Sequence, residues 1–573
     1  MINKKISELL NEISDFLEME KDNPFRIRAF RRGAQTIESL TDDLEKLDKK
    51  EWLKIPGIGK GIAEMVEEFM RSGKIAELEK LKKKYPESLL EMMKIPGLGP
   101  KRAAQLFKDR GIDNVEKLEK LAKGGELSDL PGFGKILEKN ILSGISLATE
   151  FSSRILISQA LTLIDDIKGH LSSSSHIQAF EVAGSARRWK ETVGDLDFLA
   201  ISHHPEAAVA HFLKIPGIKK ILASGDTRAS VILESGTQCD FRVVAAKSYG
   251  AALLYFTGSK EHNVRLRELA LKKGLTLNEY GLYKITDKLK KNPVAGEKEE
   301  DVYNVLGLQW IPPELREDRG EIEAALNNKL PQLVTIDDIK GDFHNHTTLS
   351  DGSHSLEEMI QAAQNKGWKW YFCADHSPSL KIASGLPVPV LYKKIETLKK
   401  LNKGFKNFKA FCSSEVDILS EGQMDYPNSV LEELDCVVAS VHSRFKQDEA
   451  TMTKRICRAL ENKHVDILGH LTGRLIGKRD SYSFDLDQVL QTAAKTQTAI
   501  EINGQPERQE LNDVGVRKAI QMGVPLAVST DAHSIKDLDN MTLAVHIARR
   551  GWAEPKNIIN TLSEKEIGEW LKS

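Results

Sequence analysis

The sequence of 573 residues has few cysteines, almost no net charge and no long apolar run. Its five cysteines form no C-x-x-C pair, which argues against a disulfide framework and favours a reducing compartment. Since 82 Lys and Arg balance 83 Asp and Glu, any nucleic-acid binding must come from local geometry rather than from overall charge. The N-terminal segment is an amphipathic charged helix rather than a signal peptide, and no run is long enough to span a bilayer. We therefore expect a cytoplasmic protein without a membrane partner.

The length predicts several domains, because one hydrophobic core seldom organises more than about 250 to 300 residues. Helical patterns alone occupy the chain up to residue 150. Strand and helix patterns then alternate, and a second alternating region begins near residue 339. The sequence therefore predicts a multidomain protein of the α+β and α/β classes.

Three similar segments each join two helical patterns: IPGIGKGIA (55–63), IPGLGPKRA (95–103) and LPGFGKILE (130–138). The two glycines permit a tight turn whose backbone N–H groups, at the start of the second helix, suit a phosphate oxygen. The alternative is that P-G-x-G only makes an efficient turn, and three copies argue against it. The repeat resembles the helix-hairpin-helix motif, which binds the DNA backbone. That resemblance implies DNA contacts at Gly57, Gly59, Gly97, Gly99, Gly132 and Gly134.

Arginines and aromatic residues share the helical pattern NPFRIRAFRRGAQTI (23–37). Such a mixture suits the end of a DNA strand with its phosphate, and Arg26 is the candidate DNA ligand. A solvated helix face is the alternative.

Three aspartates lie in strand patterns between residues 181 and 244. In EVAGSARRWKETVGDLDFLAI (181–201), Asp195 and Asp197 stand two apart, so both carboxylates face the same side of a strand. They repel unless a cation such as Mg²⁺ lies between them, and an acidic solvent-facing edge is the alternative. The hairpin-like SVILESGTQCDFRVV (230–244) favours the cation, because its second strand brings Asp240 toward the other two.

The segment LLYFTGSKEHNVRLR (253–267) adds Y-F-T-G-S and a following asparagine to the earlier G-S-x-R-R and G-D-x-D. Together these motifs resemble the family X DNA polymerases. The resemblance implies that Asp195, Asp197 and Asp240 are catalytic and hold two Mg²⁺ or Mn²⁺ ions for nucleotidyl transfer. It implies gapped or primer-template DNA and deoxynucleoside triphosphates as partners, and Arg228 as a DNA contact. The implied nucleotide-binding residues are Gly184, Ser185, Arg188, Tyr255, Phe256, Gly258, Asn263 and Arg267.

Two positions depart from that family. Trp189 stands where several members have glycine, so we expect a differently shaped loop there. Met65 stands where relatives with 5'-deoxyribose phosphate lyase activity carry a Schiff-base lysine. Because a thioether cannot form an imine, and the nearby Lys60 lies on the turn, we expect no lyase of that kind.

Seven short apolar runs follow residue 339, and each closes on a polar residue. Strand and helix alternation with nearly continuous apolar strands predicts a parallel sheet buried on both faces. Seven such units predict a (β/α) barrel with its site at the C-terminal ends of the strands. The runs are 341–346, 370–376, 408–415, 435–442, 465–470, 498–504 and 525–533.

Histidines and carboxylates collect at these strand ends, a combination that suits Mn²⁺, Zn²⁺ or Fe²⁺. A single histidine is more often a core or surface residue, but six buried imidazoles without partners would be costly. Nine ligands exceed the needs of one ion, so we expect two to three ions. The candidates are His344, His346, Asp351, His376, Glu415, His442, His470, Asp531 and His533.

The motifs D-x-H-x-H-T-x-x-S-D-G, A-D-H-S, S-V-H and S-T-D-A-H look like those of the PHP (polymerase and histidinol phosphatase) domain, with Phe343 in place of the usual leucine. The resemblance implies a metal-dependent phosphoesterase in which Glu415 bridges ions and Arg474 holds a substrate phosphate. Beside a polymerase, the implied reaction is 3'-5' removal of nucleotides, with AP-endonuclease and 3'-end phosphatase activities as related reactions. The alternatives are a small-molecule phosphatase on a DNA-binding scaffold and a non-catalytic protein that binds DNA ends.

Both resemblances together imply a monomer that fills short gaps in DNA repair. The implied domains are an N-terminal helical DNA-binding domain (1–80), fingers with helix-hairpin-helix motifs (81–148), a catalytic palm (149–246), a thumb (247–316), a linker (317–338) and a seven-stranded PHP barrel (339–573).

Overall fold

The computed structural model divides the chain into two compact units, Met1–Ser153 and Arg154–Ser573. No described helix is both long and apolar enough to cross a membrane. Gly97, a predicted DNA contact, lies outside the described residues. The structure describes residues 2–38, 40, 44–93, 95, 98–127, 130, 132–134, 138, 141, 154–287, 289–290 and 292–571.

The first unit is helical where it is described. Its helices bury apolar residues such as Phe16, Phe30, Val66 and Leu106 in one core. The helices are α1 (Ile2–Met19), α2 (Pro24–Glu38), α3 (Lys49–Trp52), α4 (Lys60–Ser72), α5 (Ala76–Lys84), α6 (Ser88–Met93), α7 (Pro100–Arg110) and α8 (Val115–Lys123).

A five-stranded sheet with helices packed on it begins the second unit. This region has seven strands, of which β1 and β3 lie outside the five-stranded sheet. They are β1 (Ile155–Leu156), β2 (Ala179–Val182), β3 (Thr192–Val193), β4 (Asp195–Ile201), β5 (Ile218–Ser224), β6 (Arg228–Leu233) and β7 (Gln238–Val244). The helices are Ile157–Ser172, Gly184–Arg187 and Pro205–Phe212. β1 pairs with β3, and the sheet has the order β2-β4-β7-β6-β5, in which β4 and β7 run parallel and the other pairs antiparallel.

A smaller helical part follows the sheet and is tied to it by a buried ion cluster. Its helices are Tyr249–Thr257, Lys260–Lys272, Glu299–Val305 and Glu321–Leu326, and its strands are β8 (Leu275–Asn278) and β9 (Gly281–Lys284). The carboxylate of Glu299 accepts hydrogen bonds from Arg187, beside the sheet, and from the fully buried Arg316. Burial opposes the ionisation of Glu299, but the two guanidinium groups hold its pKa well below the usual value.

Seven parallel strands in sequence order form the C-terminal part. They are β10 (Gly341–Asp342), β11 (Trp370–Cys373), β12 (Lys409–Asp417), β13 (Cys436–Ser440), β14 (Ile467–Leu468), β15 (Ala499–Asn503) and β16 (Leu526–Ser529). The helices are Leu356–Asn365, Val388–Leu401, Asn428–Leu431, Glu449–Leu460, Leu486–Thr496, Asp513–Gln521, Met541–Arg550 and Glu564–Trp570. Six of the seven predicted runs contain one of these strands, the run 408–415 covers most of β12, and the predicted fold class is confirmed.

The first and last strands of this sheet approach each other and nearly close a barrel. Beyond their paired ends, the N–H of His346 donates to the carbonyl of Ala532, and the N–H of Asp531 donates to the carbonyl of His344. The buried amide of Asn560 fills part of the remaining gap, because it donates to the carbonyls of Gly341 and Val528. The closure brings polar residues after β10 and β16 to one end of the barrel.

Candidate active sites

Two central strands of the five-stranded sheet bring three aspartates together. Asp195 and Asp197 lie on β4, Asp240 lies on β7, and the parallel pairing sets Asp197 opposite Asp240. One oxygen of each carboxylate lies within 4.8 Å of the others. β6 and β7 form the hairpin that the sequence predicted around Asp240.

The three carboxylates repel one another when no cation lies between them. Burial and the charges of Asp195 and Asp240 raise the pKa of Asp197 to about 7. Burial, followed by the charge of Asp240, raises the pKa of Asp195. A divalent cation would relieve this repulsion, and donors that are all oxygens suit Mg²⁺ or Mn²⁺.

Gly184 and Ser185 begin the short helix Gly184–Arg187 beside this carboxylate cluster. Gly184 has a φ of 65°, and a Cβ there would lie 2.4 Å from Oδ2 of Asp197. A side chain at this position would therefore displace the carboxylate. The strand β2 ends at Val182, so both residues follow the strand end at which the sequence placed them.

A pocket of about 280 Å³ brings together six of the eight predicted nucleotide-binding residues. The helix Tyr249–Thr257 supplies its aromatic wall and the helix Lys260–Lys272 its polar wall. The pocket is lined by Arg188, Tyr255, Phe256, Thr257, Gly258, Lys260, Asn263 and Arg267.

Internal hydrogen bonds orient the polar groups of this pocket. Asn263 donates from Nδ2 to the carbonyl of Tyr255 at 2.7 Å. Arg188 donates from Nε to Oε1 of Glu317 at 3.1 Å and from Nη1 to the carbonyl of Thr257. Among the described residues, no side chain or carbonyl accepts a hydrogen bond from its Nη2, so this nitrogen is available to an anionic ligand in the pocket.

Two of the predicted DNA-contact glycines of the first unit lie directly before described helices. Gly59 and Gly99 directly precede α4 and α7, and each adopts an extended backbone at the helix start. Gly57 and Gly132 have φ values of 106° and 84°, which favour glycine. Gly134, the second glycine of the third repeat, is also described.

Three further predicted positions have defined surroundings. The guanidinium of Arg26 pairs with the carboxylates of Asp22 at 2.5 Å and Glu77 at 2.8 Å, so a DNA phosphate would compete with both. Arg228 begins β6, opposite Arg242 on β7. Met65 lies on α4, partly buried against the core.

The barrel gathers eight of the nine predicted ligands into three overlapping groups. His346 and His376 each belong to two of these groups, so they lie between neighbouring sites. The ligand atoms within each group lie within 4.8 Å of one another. The groups are His346, Asp351, His376 and His533; His344, His346 and Asp531; and His376, Glu415 and His442.

Glu415 lies at the centre of this cluster, and the ninth predicted ligand contacts it. Nε2 of His470 is 2.7 Å from Oε1 of Glu415, and Nε2 of His442 is 3.3 Å from the same oxygen. Oε2 of Glu415 lies 3.3 Å from Nε2 of His344 and 2.8 Å from Nδ1 of His376. Two ligand atoms that each lie about 2.1 Å from one ion are about 3.0 to 3.4 Å apart, so these separations suit shared metal ions.

Four buried imidazoles in the cluster have a ring nitrogen without a hydrogen-bond partner among the described residues, and they belong to His344, His346, His376 and His470. Within the described chain, neither ring nitrogen of His346 nor Nδ1 of His470 forms a hydrogen bond. Burial and the neighbouring imidazole of His376 lower the pKa of His346 to about 4, so its ring is neutral and suited to binding a metal. The donor set therefore fits Mn²⁺, Zn²⁺ or Fe²⁺.

Carboxylates behind the histidines fix their tautomers, and the sequence interpretation missed them. Glu501 on β15 accepts from Nδ1 of His344 at 2.6 Å, and Asp417 on β12 accepts from Nδ1 of His442 at 2.5 Å. Such partners orient a ligating imidazole and increase its basicity. The run TAIEING contains Glu501 as its only charged residue, and this signal was present in the sequence.

Two arginines near the cluster have different surroundings. Arg508, a residue that the sequence interpretation missed, places Nε 3.4 Å from Oδ2 of the predicted ligand Asp531. Arg474, the predicted phosphate ligand, donates to the carbonyls of Arg508 and Gln509. It also pairs with Glu191 of the five-stranded-sheet part at 2.6 Å.

Four family profiles match successive parts of the chain. They are a helix-hairpin-helix domain at residues 1–75, a SAM-like helix-hairpin-helix tandem at 89–146, a DNA polymerase beta thumb at 252–317 and a PHP domain at 342–505.

Curated relatives fall into two groups. The protein named DNA polymerase/3'-5' exonuclease PolX from Bacillus subtilis (strain 168) is 41% identical over 575 residues, which cover 100% of both chains. A probable phosphatase of Thermoanaerobacter sp. (strain X514) is 32% identical over 246 residues, 40% of this chain and 94% of the relative. Another from Aliivibrio fischeri (strain MJ11) is 27% identical over 235 residues, 39% of this chain and 90% of the relative. The match over the full length, together with the thumb and PHP profiles, shows that the chain belongs to the PolX group of family X DNA polymerases, which carry a PHP domain.

Proposed function

We propose that this chain is a DNA polymerase that also removes nucleotides from DNA 3' ends, with a separate active site for each reaction. The observation that carries the proposal is the presence of two clusters of metal-ligand side chains in one chain, the aspartates of β4 and β7 and the histidine cluster of the barrel. A relative that matches the full length and is named for both activities supports it.

In the polymerase reaction, the primer 3'-oxygen attacks the α-phosphorus of a deoxynucleoside triphosphate and pyrophosphate leaves. Mg²⁺ or Mn²⁺ held by Asp195, Asp197 and Asp240 would supply the charge that favours this transfer. Arg188 binds the triphosphate through its Nη2, because Glu317 and the Thr257 carbonyl hold its other nitrogens.

The remaining pocket residues have proposed roles around the same nucleotide. Tyr255, Phe256 and Gly258 flank the sugar, Asn263 reaches the minor-groove edge of the base, and Arg267 lies on the template side. Gly184 and Ser185 present backbone and hydroxyl groups to the phosphates. All except Gly184 and Ser185 line the 280 Å³ pocket.

In the barrel, hydrolysis adds water across the terminal phosphodiester bond and releases one nucleotide. Two or three ions of Mn²⁺, Zn²⁺ or Fe²⁺ at the histidine cluster would supply the charge for this step. Glu501 and Asp417 hold the protons on Nδ1 of His344 and His442, so the opposite nitrogens face the cluster. Arg474 can contact the substrate phosphate only if its guanidinium first leaves the carboxylate of Glu191.

The proposed biological setting is the filling of short gaps in DNA repair by a cytoplasmic monomer. The helical domain (1–80) and the fingers (81–148) would bind DNA through the turn glycines, Arg26 and, from the palm (149–246), Arg228. The thumb (247–316) would close on the nucleotide, and a linker (317–338) would precede the PHP domain (339–573). AP-endonuclease and 3'-phosphatase reactions would use the same barrel site.

Separate variants test the two sites on labelled gapped DNA. We expect Asp195→Ala and Asp197→Ala to abolish primer extension and to leave Mn²⁺-dependent digestion of the primer intact. We expect the double variant His344→Ala and His346→Ala to do the opposite. Extension that survives both aspartate variants would refute the polymerase assignment, and digestion that survives the histidine variant would refute the barrel assignment. Hydrolysis of small phosphate esters without digestion of DNA would favour a small-molecule phosphatase.

A further inference from the structure

The segment 188–191 connects the nucleotide pocket with the barrel. It begins at Arg188, which lines the pocket, and continues through Trp189, whose φ is 54°. The indole ring of Trp189 stacks on the ring of His546 in the barrel helix Met541–Arg550, with centroids 3.4 Å apart and planes 6° from parallel. Packing against the barrel therefore accounts for a tryptophan at this position.

Arg550, at the end of the same barrel helix, reaches the pocket arginine in two ways. Its Nη1 donates to the backbone carbonyl of Arg188 at 2.6 Å and to Oε1 of Glu317 at 3.1 Å. The same Oε1 accepts the Nε–H of Arg188 at 3.1 Å. Nη2 of Arg550 donates to Oδ2 of Asp513 at 2.5 Å, so the barrel fixes this guanidinium in turn.

These groups are buried, so water screens the attraction between their charges only weakly. The side chain of Arg550 is 4% exposed and that of Glu317 is 13% exposed. Burial alone would favour a neutral Glu317, but Arg550, Lys190 and Arg188 outweigh it and lower the pKa of Glu317 to about 2. Glu317 therefore carries a full negative charge, and Arg188 and Arg550 donate hydrogen bonds to it.

We propose that Arg550 of the PHP domain is a positioning residue for the polymerase reaction, because it orients Arg188 for the nucleotide phosphates. With Arg550 in place, the carboxylate of Glu317 accepts hydrogen bonds from both arginines, and the carbonyl of Arg188 is held by Arg550. Without Arg550, the carbonyl of Arg188 is released and Arg188 keeps only its own hydrogen bond to Glu317, so its guanidinium is less well oriented toward the triphosphate. This inference rests on the proposed role of Arg188 in nucleotide binding.

The test measures single-nucleotide gap filling by the full-length protein as a function of nucleotide concentration. We expect Arg550→Met to raise KM for the nucleotide about tenfold, a loss of about 1.4 kcal/mol of binding, with a smaller change in kcat. Arg550→Lys, which keeps the charge, restores part of this loss. Glu317→Gln weakens the hold on Arg188 and also raises KM. Primer digestion by the barrel is unchanged in these variants.

Arg549 provides the matched control at the same domain junction. It pairs with Glu314 at 2.7 Å and donates to the carbonyl of Val334 at 2.9 Å, and its side chain has no contact with Arg188 in the described structure. Arg549→Lys should leave the nucleotide KM unchanged. An equal rise of KM in the Arg549 and Arg550 variants would overturn the proposal, since a general loosening of the junction would then explain it.

Arg188→Ala separates this proposal from the one on which it rests. If Arg188→Ala leaves the nucleotide KM unchanged, the assigned role of Arg188 is wrong. If Arg188→Ala raises KM while Arg550→Met and Glu317→Gln leave it unchanged, Arg188 binds the nucleotide but Arg550 does not position it. If Arg550→Met fails to fold, Arg550→Lys and Glu317→Gln decide the question through the same KM measurement.

Discussion

Replacement of Asp197 by asparagine should stabilise the metal-free protein above neutral pH. The pKa of Asp197 rises from 3.8 to about 7, because of burial and then of the charges of Asp195 and Asp240. A raised carboxyl pKa contributes stability that is fully present below pH 3.8 and is lost as pH rises to about 7. Because each pKa unit corresponds to about 1.36 kcal/mol, the stability lost above pH 7 has an upper limit of about 4 kcal/mol.

Thermal unfolding in EDTA measures this effect. At pH 8, Asp197→Asn should unfold several degrees above the wild type, and the difference should vanish near pH 4, where the wild-type carboxyl is neutral. Saturating Mg²⁺ should raise the unfolding temperature of the wild type more than that of the variant, because the variant lacks one ligand. If the wild type and the variant unfold at the same temperature at pH 8 in EDTA, or if Mg²⁺ stabilises both equally, the three carboxylates do not form a cation site.

Two other predictions concern the barrel and its junction. Glu501→Gln removes the carboxylate that fixes Nδ1 of His344, so Mn²⁺ affinity measured by titration calorimetry should fall by about 10- to 100-fold, and unchanged affinity would contradict the role of Glu501. Glu314 accepts from His546 and Arg549, which outweigh its burial and lower its pKa from 4.5 to about 2. The ionised carboxylate of Glu314 therefore stabilises the folded state by about 3 kcal/mol above pH 4.5, and this stabilisation is lost as pH falls through about 2. Glu314→Gln should therefore lower the unfolding temperature at pH 7 but not at pH 2, and a constant difference between these pH values would contradict the assignment.

Local patterns were sufficient to predict the barrel strands and the candidate ligands that the structure gathers in two clusters. The alternation around Asp195 and Asp197 specified a strand with both carboxylates on one face, and seven apolar runs, six of them ending in histidine or carboxylate, specified the barrel. These features follow from side-chain periodicity, which the sequence carries directly. Glu501 and Arg508 escaped prediction, because a charged residue in an apolar run does not by itself reveal which histidine or aspartate it will contact.

The roles of Arg474 and Trp189 depend on contacts that no local pattern contains. The segment LTGRLIG predicted a phosphate contact for Arg474, and in the structure Arg474 pairs with Glu191, a residue distant in sequence. Trp189 departs from the family pattern, and its partner is His546.

The sequence by itself determined the two sets of candidate metal ligands and the elements that carry them, because ligand spacing and strand periodicity are encoded within short segments. Only the tertiary structure decided how eight of the nine predicted ligands divide into three overlapping groups and how Arg550 reaches Arg188. Those relations depend on the closure of the barrel and on its packing against the five-stranded-sheet part, which join residues hundreds of positions apart.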